Sequence, residues 1–412
     1  MKLGRFGVLS RAAGSRANRR RLVAGLVAGS AAALVGRATR LPAQTEKPAD
    51  GGATPAAGNH HPVATPAFAG GPLRARRNAN ALSPGERAAF VDAVLALKVK
   101  PSPWADGLSV YDTFVLWHRD AFGCAVMAAH MGPAFLPWHR TFLRLFEQQL
   151  QVVDPSVTVP YWDWTVDNTP EASIWADDLM GGNGKPDELN AVMTGPFRKG
   201  RWELTVFDHD DARQTPYLVR DFGGGFMAPT LPTAADVEEA LAIPVYDAAP
   251  WNASVPASLG FRNMMEGWRD CVRETCDPVA GMSQECTGSH DMHNRVHLWV
   301  SGEFALAHEG ERADDPEASP VPVPGQDPTT DLFGTMAFNS SPNDPVFWLH
   351  HAQIDRLWAR WEARHGAGYR PEAEGPYGHN LDDPMWPYRQ IGLQVSPRMT
   401  LSTEAMGYAY EG

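Results

Sequence analysis

Cysteine is scarce in this chain, four in 412 residues, and Lys and Arg, 36 in all, are outnumbered by 48 Asp and Glu. A formal charge of −12 without a basic stripe argues against nucleic acid or an anionic membrane surface as partner. Long apolar runs are also missing. The longest, from Leu22 to Gly36, is too short to span a bilayer. No cysteine or carboxylate stands at a metal-ligand spacing beside the histidines described next, which argues against a thiolate-rich structural zinc site.

What the chain does have is histidine inside apolar helical stripes. In Ser340 to Trp358, Asp344 followed by Pro345 reads as a helix start, an N-cap acceptor and then a residue whose missing N–H costs nothing. Phe347, His351, Ile354 and Trp358 then recur at helical spacing, so His351 shares the buried stripe. Tyr111, Phe114, Val115, His118 and Phe122 share another face. A helix opening at Pro137 turns His139, Phe142, Leu143, Phe146 and Leu150 inward, and His130 sits in the irregular connection before it, beside Gly132 and Pro133. In His293-Asn-Arg-Val-His297 two histidines stand at i and i+4 on one face. A lone core histidine is a bland feature, but six without partners would be costly. Metal explains them more simply. Imidazole alone suits Zn, Cu, Fe or Ni, and two sets of three suit a copper pair that binds oxygen.

The stretches around His118, Phe135 to Arg140, Val159 to Trp164, Gly260 to Trp268, His293 to Val300 and Ser341 to His351 resemble the bacterial tyrosinases, type-3 dicopper oxidases, from about Arg76 to Tyr410. The resemblance implies a mainly α fold with a four-helix-bundle core, long irregular loops and few short strands. It implies His118, His130 and His139 on one copper and His293, His297 and His351 on the other. His350 must point elsewhere and is expected behind the ligands. It further implies that Glu266 and Asn294 orient a water that deprotonates a phenol. O2 would be used to hydroxylate monophenols ortho and to oxidise o-diphenols to o-quinones. The alternatives are a catechol or o-aminophenol oxidase without monophenol hydroxylation, an oxygen-binding protein and, more distantly, a zinc hydrolase. The partners expected are phenolic and catecholic small molecules and O2, with copper delivery by a chaperone left open.

The organisation expected is a leader over 1–43, an Ala/Gly/Pro-rich tail over 44–72 and a catalytic domain over 73–412. The first 45 residues hold nine Lys or Arg and no acid, and Arg19-Arg20-Arg21 precedes a mild apolar run, which reads as a twin-arginine signal for secretion in folded form. Removing the leader takes the formal charge from −12 to −21. Cys124, Cys271, Cys276 and Cys286 fit an exported protein with disulfides, at least one of them among the last three. Residues 271–290 and 303–334 depart from the compact bacterial pattern and are expected as surface loops. His209, in an Asp-His-Asp-Asp run, reads as part of a solvated face, and His60, His61, His290 and His308 as bystanders. Val157 to Trp164 reads as a β-rich aromatic wall. Arg76 is expected to stack on the tyrosines of Gly407 to Tyr410, after which no shielding domain is expected.

Overall fold

The computed structural model describes residue 68 and residues 72–122, 128–208, 214–224, 228–268, 271–277, 281–286, 291–305 and 331–412. Among these, helices form at Pro84–Val99 (α1), Val110–Phe122 (α2), Phe135–Val153 (α3), Ala234–Leu241 (α4), Phe261–Glu266 (α5), Met292–Ser301 (α6) and Val346–His365 (α7). Short strands add Arg74–Arg76 (β1), Gly184–Lys185 (β2), Ala191–Val192 (β3), Cys271–Asp277 (β4), Gly281–Cys286 (β5), Glu303–Ala305 (β6), Asp331–Phe333 (β7) and Tyr408–Tyr410 (β8). The architecture is mainly α, as expected. The expected leader, Cys124, His209, His290 and His308 lie outside the described residues.

Helix starts follow the local chemistry. Ser83 and Glu86 close a capping box on α1, and Thr233 and Asp236 close one on α4. Helix α3 begins at Phe135, two residues before the expected start, and Pro137 is tolerated because it still falls in the first turn. A 3-10 turn at Ser341–Asn343 precedes α7, which starts at Val346 with Pro345 at the N-cap, one residue later than expected, and Asp344 Oδ1 accepts the N–H of Val346 at 3.1 Å.

Helices α2, α3, α6 and α7 form the core that faces the histidines. Helix α3 packs on α7, α6 on α7 and α5, and α1 covers α2 and α3. Large flat rings lock the layers. Trp348 stacks on Phe146 at 3.6 Å and on Phe142 at 5.0 Å, and its Nε1 donates to Tyr111 Oη at 3.1 Å. Tyr111 Oη in turn donates to the carbonyl of Pro342 at 2.6 Å, tying α2 to the approach of α7.

Strand β1 runs parallel to β8, with Arg76 opposite Tyr410. The guanidinium of Arg76 lies 3.6 Å from the Tyr408 ring centroid, the stacking that the sequence suggested. It also pairs with Glu147 and Asp355, while Arg140 pairs with Asp355 and Glu362. A buried charge cluster thus joins β1, β8, α3 and α7.

Three expectations need correction. Phe68 lies within the expected tail yet is buried, and its carbonyl accepts from Arg144 at 3.2 Å. The Val157 to Trp164 wall is not a strand. Apart from one isolated bridge, Tyr161 to Asn78, its backbone bonds into turns and to Leu349, while Trp162 and Trp164 fill the core. Residues 271–290 are not plain loop, because β4 and β5 pair antiparallel with Cys271 opposite Cys286. Likewise β6 and β7 pair at the two ends of the second departure.

Candidate metal centre

Four helices and one connection deliver the six histidines. His118 projects from α2, His139 from α3, His293 and His297 from α6 and His351 from α7, while His130 comes from the 128–134 segment. Two groups result, His118, His130 and His139 in one and His293, His297, His350 and His351 in the other, each offering ligand nitrogens within 4.8 Å of one another. The groups face each other, since the His139 and His351 rings stack at 4.3 Å. All six sequence-predicted metal residues are therefore brought together.

The hydrogen bonds set the tautomers. His118 Nδ1 donates to the carbonyl of Asn339 at 2.6 Å, His139 Nδ1 to Phe135 at 2.8 Å and His297 Nδ1 to Met336 at 2.7 Å. His293 Nδ1 donates to Asn294 Oδ1 at 2.9 Å. With Nδ1 protonated, the lone pair sits on Nε2. Nε2 of His118 and of His139 is buried with no partner among the described residues. Burial holds His118 down to about 3 and His297 to about 4, and pushes the other four well below the ordinary imidazole range. Six neutral imidazoles, four of them held with Nε2 as the free lone pair, fit two metal ions.

Within the second group, His351 makes the close nitrogen contacts with the α6 histidines. Its Nε2 lies 3.2 Å from His293 Nε2 and 3.4 Å from His297 Nε2. His350, one residue back and rotated away on the helix, stacks behind His293 at 5.2 Å.

The His130 connection is held from several sides. Glu266 Oε1 accepts the N–H of Met131 at 2.5 Å, Tyr246 donates to the carbonyl of Pro133 at 2.7 Å, and His379 Nδ1 accepts the N–H of Ala134 at 3.2 Å. A Cβ at Gly132 would meet the His379 ring at 2.7 Å, so this position needs glycine. Tyr246 and His379 were missed from sequence, where no local pattern marks them.

Glu266 closes α5 and is fully buried, not a helix-surface carboxylate. Gly267, at φ +93, ends the helix and lets the chain approach Asp291 ahead of α6, so the polar β4–β5 hairpin does not carry Glu266 away. Burial pushes the Glu266 carboxyl up to about 7, opposed by Arg262 at 3.0 Å and by hydrogen bonds from Met131 and Trp268. Asn294, next to His293, has a buried Nδ2 without a partner among the described residues and lines a cavity over the histidines. The cavity, open to solvent on one side, has a volume of about 100 Å³ and includes Phe122, Trp268, Leu298 and Phe338, with no charged side chain among its described lining residues.

The family model for the common central domain of tyrosinase matches residues 108–364. Tyrosinase of Streptomyces glaucescens is 38% identical over 319 residues, covering 77% of this chain and 93% of that protein. Grixazone synthase of Streptomyces griseus is 33% identical over 344 residues, covering 77% and 94%. Among solved structures, polyphenol oxidase from Thermothelomyces thermophila aligns with a TM-score of 0.54 at 24% identity, over 82% of this chain and 89% of that one, and supports the fold. Six inward imidazoles in two facing triads, in this fold and with these relatives, place the chain in the tyrosinase family.

Proposed function

We propose that His118, His130 and His139 hold one copper, that His293, His297 and His351 hold a second, and that the chain uses O2 to hydroxylate monophenols ortho and to oxidise o-diphenols to o-quinones. The observation that carries this reading is the all-imidazole double triad, neutral and opening on an apolar cavity. When bound, the copper pair would supply oxygen binding and accept the electrons of the phenol.

The protein's own part is to admit the ring and take its proton. Phe122, Trp268, Leu298 and Phe338 offer apolar surface to an aromatic ring. An isolated phenol titrates near ~10, so a base is needed at neutral pH. Glu266, held up to about 7, has the acidity a general base requires there. Asn294 uses its oxygen to orient His293 and keeps an amide N–H free for a water or the phenol oxygen. Glu266 and Asn294 would together hold the water that carries the proton away.

A second reading keeps the metals and the cavity but drops monophenol hydroxylation, favouring catechols or o-aminophenols. The 33% identity to a protein named grixazone synthase favours keeping it in view. Copper analysis together with parallel assays on tyrosine, DOPA and o-aminophenol decides. Two coppers per chain and turnover of all three support the first reading, and turnover without tyrosine supports the second. Zinc without oxidation would overturn both. Secretion through the twin-arginine route and copper delivery by a partner protein belong to the same proposal. Among the described residues no helix is long and apolar enough to cross a membrane.

A further inference from the structure

One short backbone segment, residues 336–341, serves both triads. The carbonyl of Met336 takes the Nδ1 proton of His297, and the carbonyl of Asn339 takes that of His118. Five of its residues, Met336 to Asn339 and Ser341, also line the cavity over the histidines. The orientation of one ligand in each triad therefore depends on where this segment sits.

The segment is held by the side chains of Asp208 and Gln214 and by the backbone of Val219. Asp208 Oδ2 accepts the N–H of Asn339 at 2.8 Å, and the N–H of Ser340 faces the same carboxylate. That Ser340 N–H belongs to the peptide unit whose oxygen receives the His118 proton. A continuous chain of hydrogen bonds results, from the Asp208 acceptor through the peptide to the imidazole. Gln214 Oε1 braces the arrangement, accepting from Ser340 Oγ at 3.0 Å and from the Asp208 N–H at 3.1 Å. At the other end Thr335 is tied to Val219 by reciprocal bonds of 2.9 and 3.0 Å.

We propose that Asp208 is a positioning residue of the metal centre, acting as an acceptor through the Asn339–Ser340 peptide to fix the tautomer and direction of His118. It touches neither metal nor substrate. The proposal rests on the copper reading above, and its test separates the two.

Copper affinity is measured by chelator competition on the full chain, alongside melting temperature and the diphenol kcat and KM. The parent is expected to bind two coppers; a parent that binds none would overturn the copper reading itself. D208A removes the acceptor and is expected to bind copper roughly tenfold more weakly at one of its two sites, the low end of what outer partners of metal-bound histidines contribute. D208N keeps an acceptor oxygen toward Asn339 and is expected to restore most of that affinity. Parent affinity at both sites in D208A, with only a lower melting temperature, would overturn the role of Asp208. So would a D208N loss equal to that of D208A, since the acceptor would then not matter. If D208A does not yield folded protein, Gln214→Ala loosens the same segment at Ser340 and is expected to weaken copper in the same direction. Parent affinity in that variant would overturn the proposal.

Discussion

Residue by residue, the centre divides into groups that would touch metal and groups that set their posture, and sequence showed mainly the former. His118, His139, His293, His297 and His351 were legible because helical periodicity places each on an apolar face. Asp208 was not. Its run of acids reads as solvated, whereas its carboxylate is turned inward to a backbone segment 131 residues away. The adjacent pair His350 and His351 offers a sharp test of the ligand assignment. His351→Ala should remove one copper and abolish oxidation. His350→Ala should keep two coppers, bound roughly 10–100-fold more weakly, because it removes only the ring stacked behind His293. Equal copper loss in both variants would show that His350 is itself a ligand. Glu266→Gln separates base from brace. Gln can still accept the Met131 N–H, so the His130 connection should stay in place and copper should remain bound. Tyrosine turnover should fall by ~10²–10⁴-fold, the usual worth of a general base, and DOPA turnover much less, since catechols lose a proton more readily. Equal losses on the two substrates would make Glu266 purely structural.

Among the elements, α3 and α7 matter most, because each carries a histidine on one face and half of a charge clamp on another. Arg140 follows His139, and Asp355 lies one turn beyond His351. Arg140 Nε donates to Asp355 Oδ1 at 2.5 Å, while Arg76, Tyr408 and Tyr410 converge on Oδ2. Those donors hold the Asp355 carboxyl below its ordinary range even though burial opposes it. Asp355→Ala would leave two buried guanidiniums short of a partner, and the expected loss is about 3–5 kcal/mol in urea unfolding. Tyr410→Phe removes two hydrogen bonds, one donated to Asp355 and one accepted from Arg76, but no charge, and should lose less, about 1–2 kcal/mol. Similar small losses in both would mean that Glu147 and Glu362 suffice to neutralise the pair. Sequence hinted at part of this clamp through Arg76 and the C-terminal tyrosines. The Arg140–Asp355 link spans 215 residues, and nothing local marks either residue. The β4–β5 hairpin escaped for the opposite reason. Its residues are mostly polar and show no clear apolar alternation, so in sequence they read as loop, whereas the backbone pairs antiparallel.

At the scale of the whole molecule, the cluster behind α3 and α7 makes stability depend on pH in a direction that can be worked out. Glu362 is nearly buried against Arg140, and burial raises its carboxyl to about 7 despite that partner. In the unfolded chain it would titrate at 4.5. Between these values the unfolded chain has released the proton while the folded protein still holds it. Stability therefore falls as pH rises from about 4.5 to about 7 and levels off above. The ceiling on the effect is about 3 kcal/mol, and relaxation around the partly accessible oxygen should leave something on the order of 1 kcal/mol. Glu362→Gln keeps the shape and removes the titration. Buried groups with shifts of their own, Asp208 at about 6 and Glu266 at about 7, are common to parent and variant and cancel in the difference. The variant's stability relative to the parent should therefore rise between pH 4.5 and pH 8, whatever the offset at the acid end. Urea unfolding of both proteins at these two pH values measures it. A difference that stays flat, or grows toward acid, would mean that Glu362 is ionised in the folded protein and that its bond to Arg140 outweighs its burial.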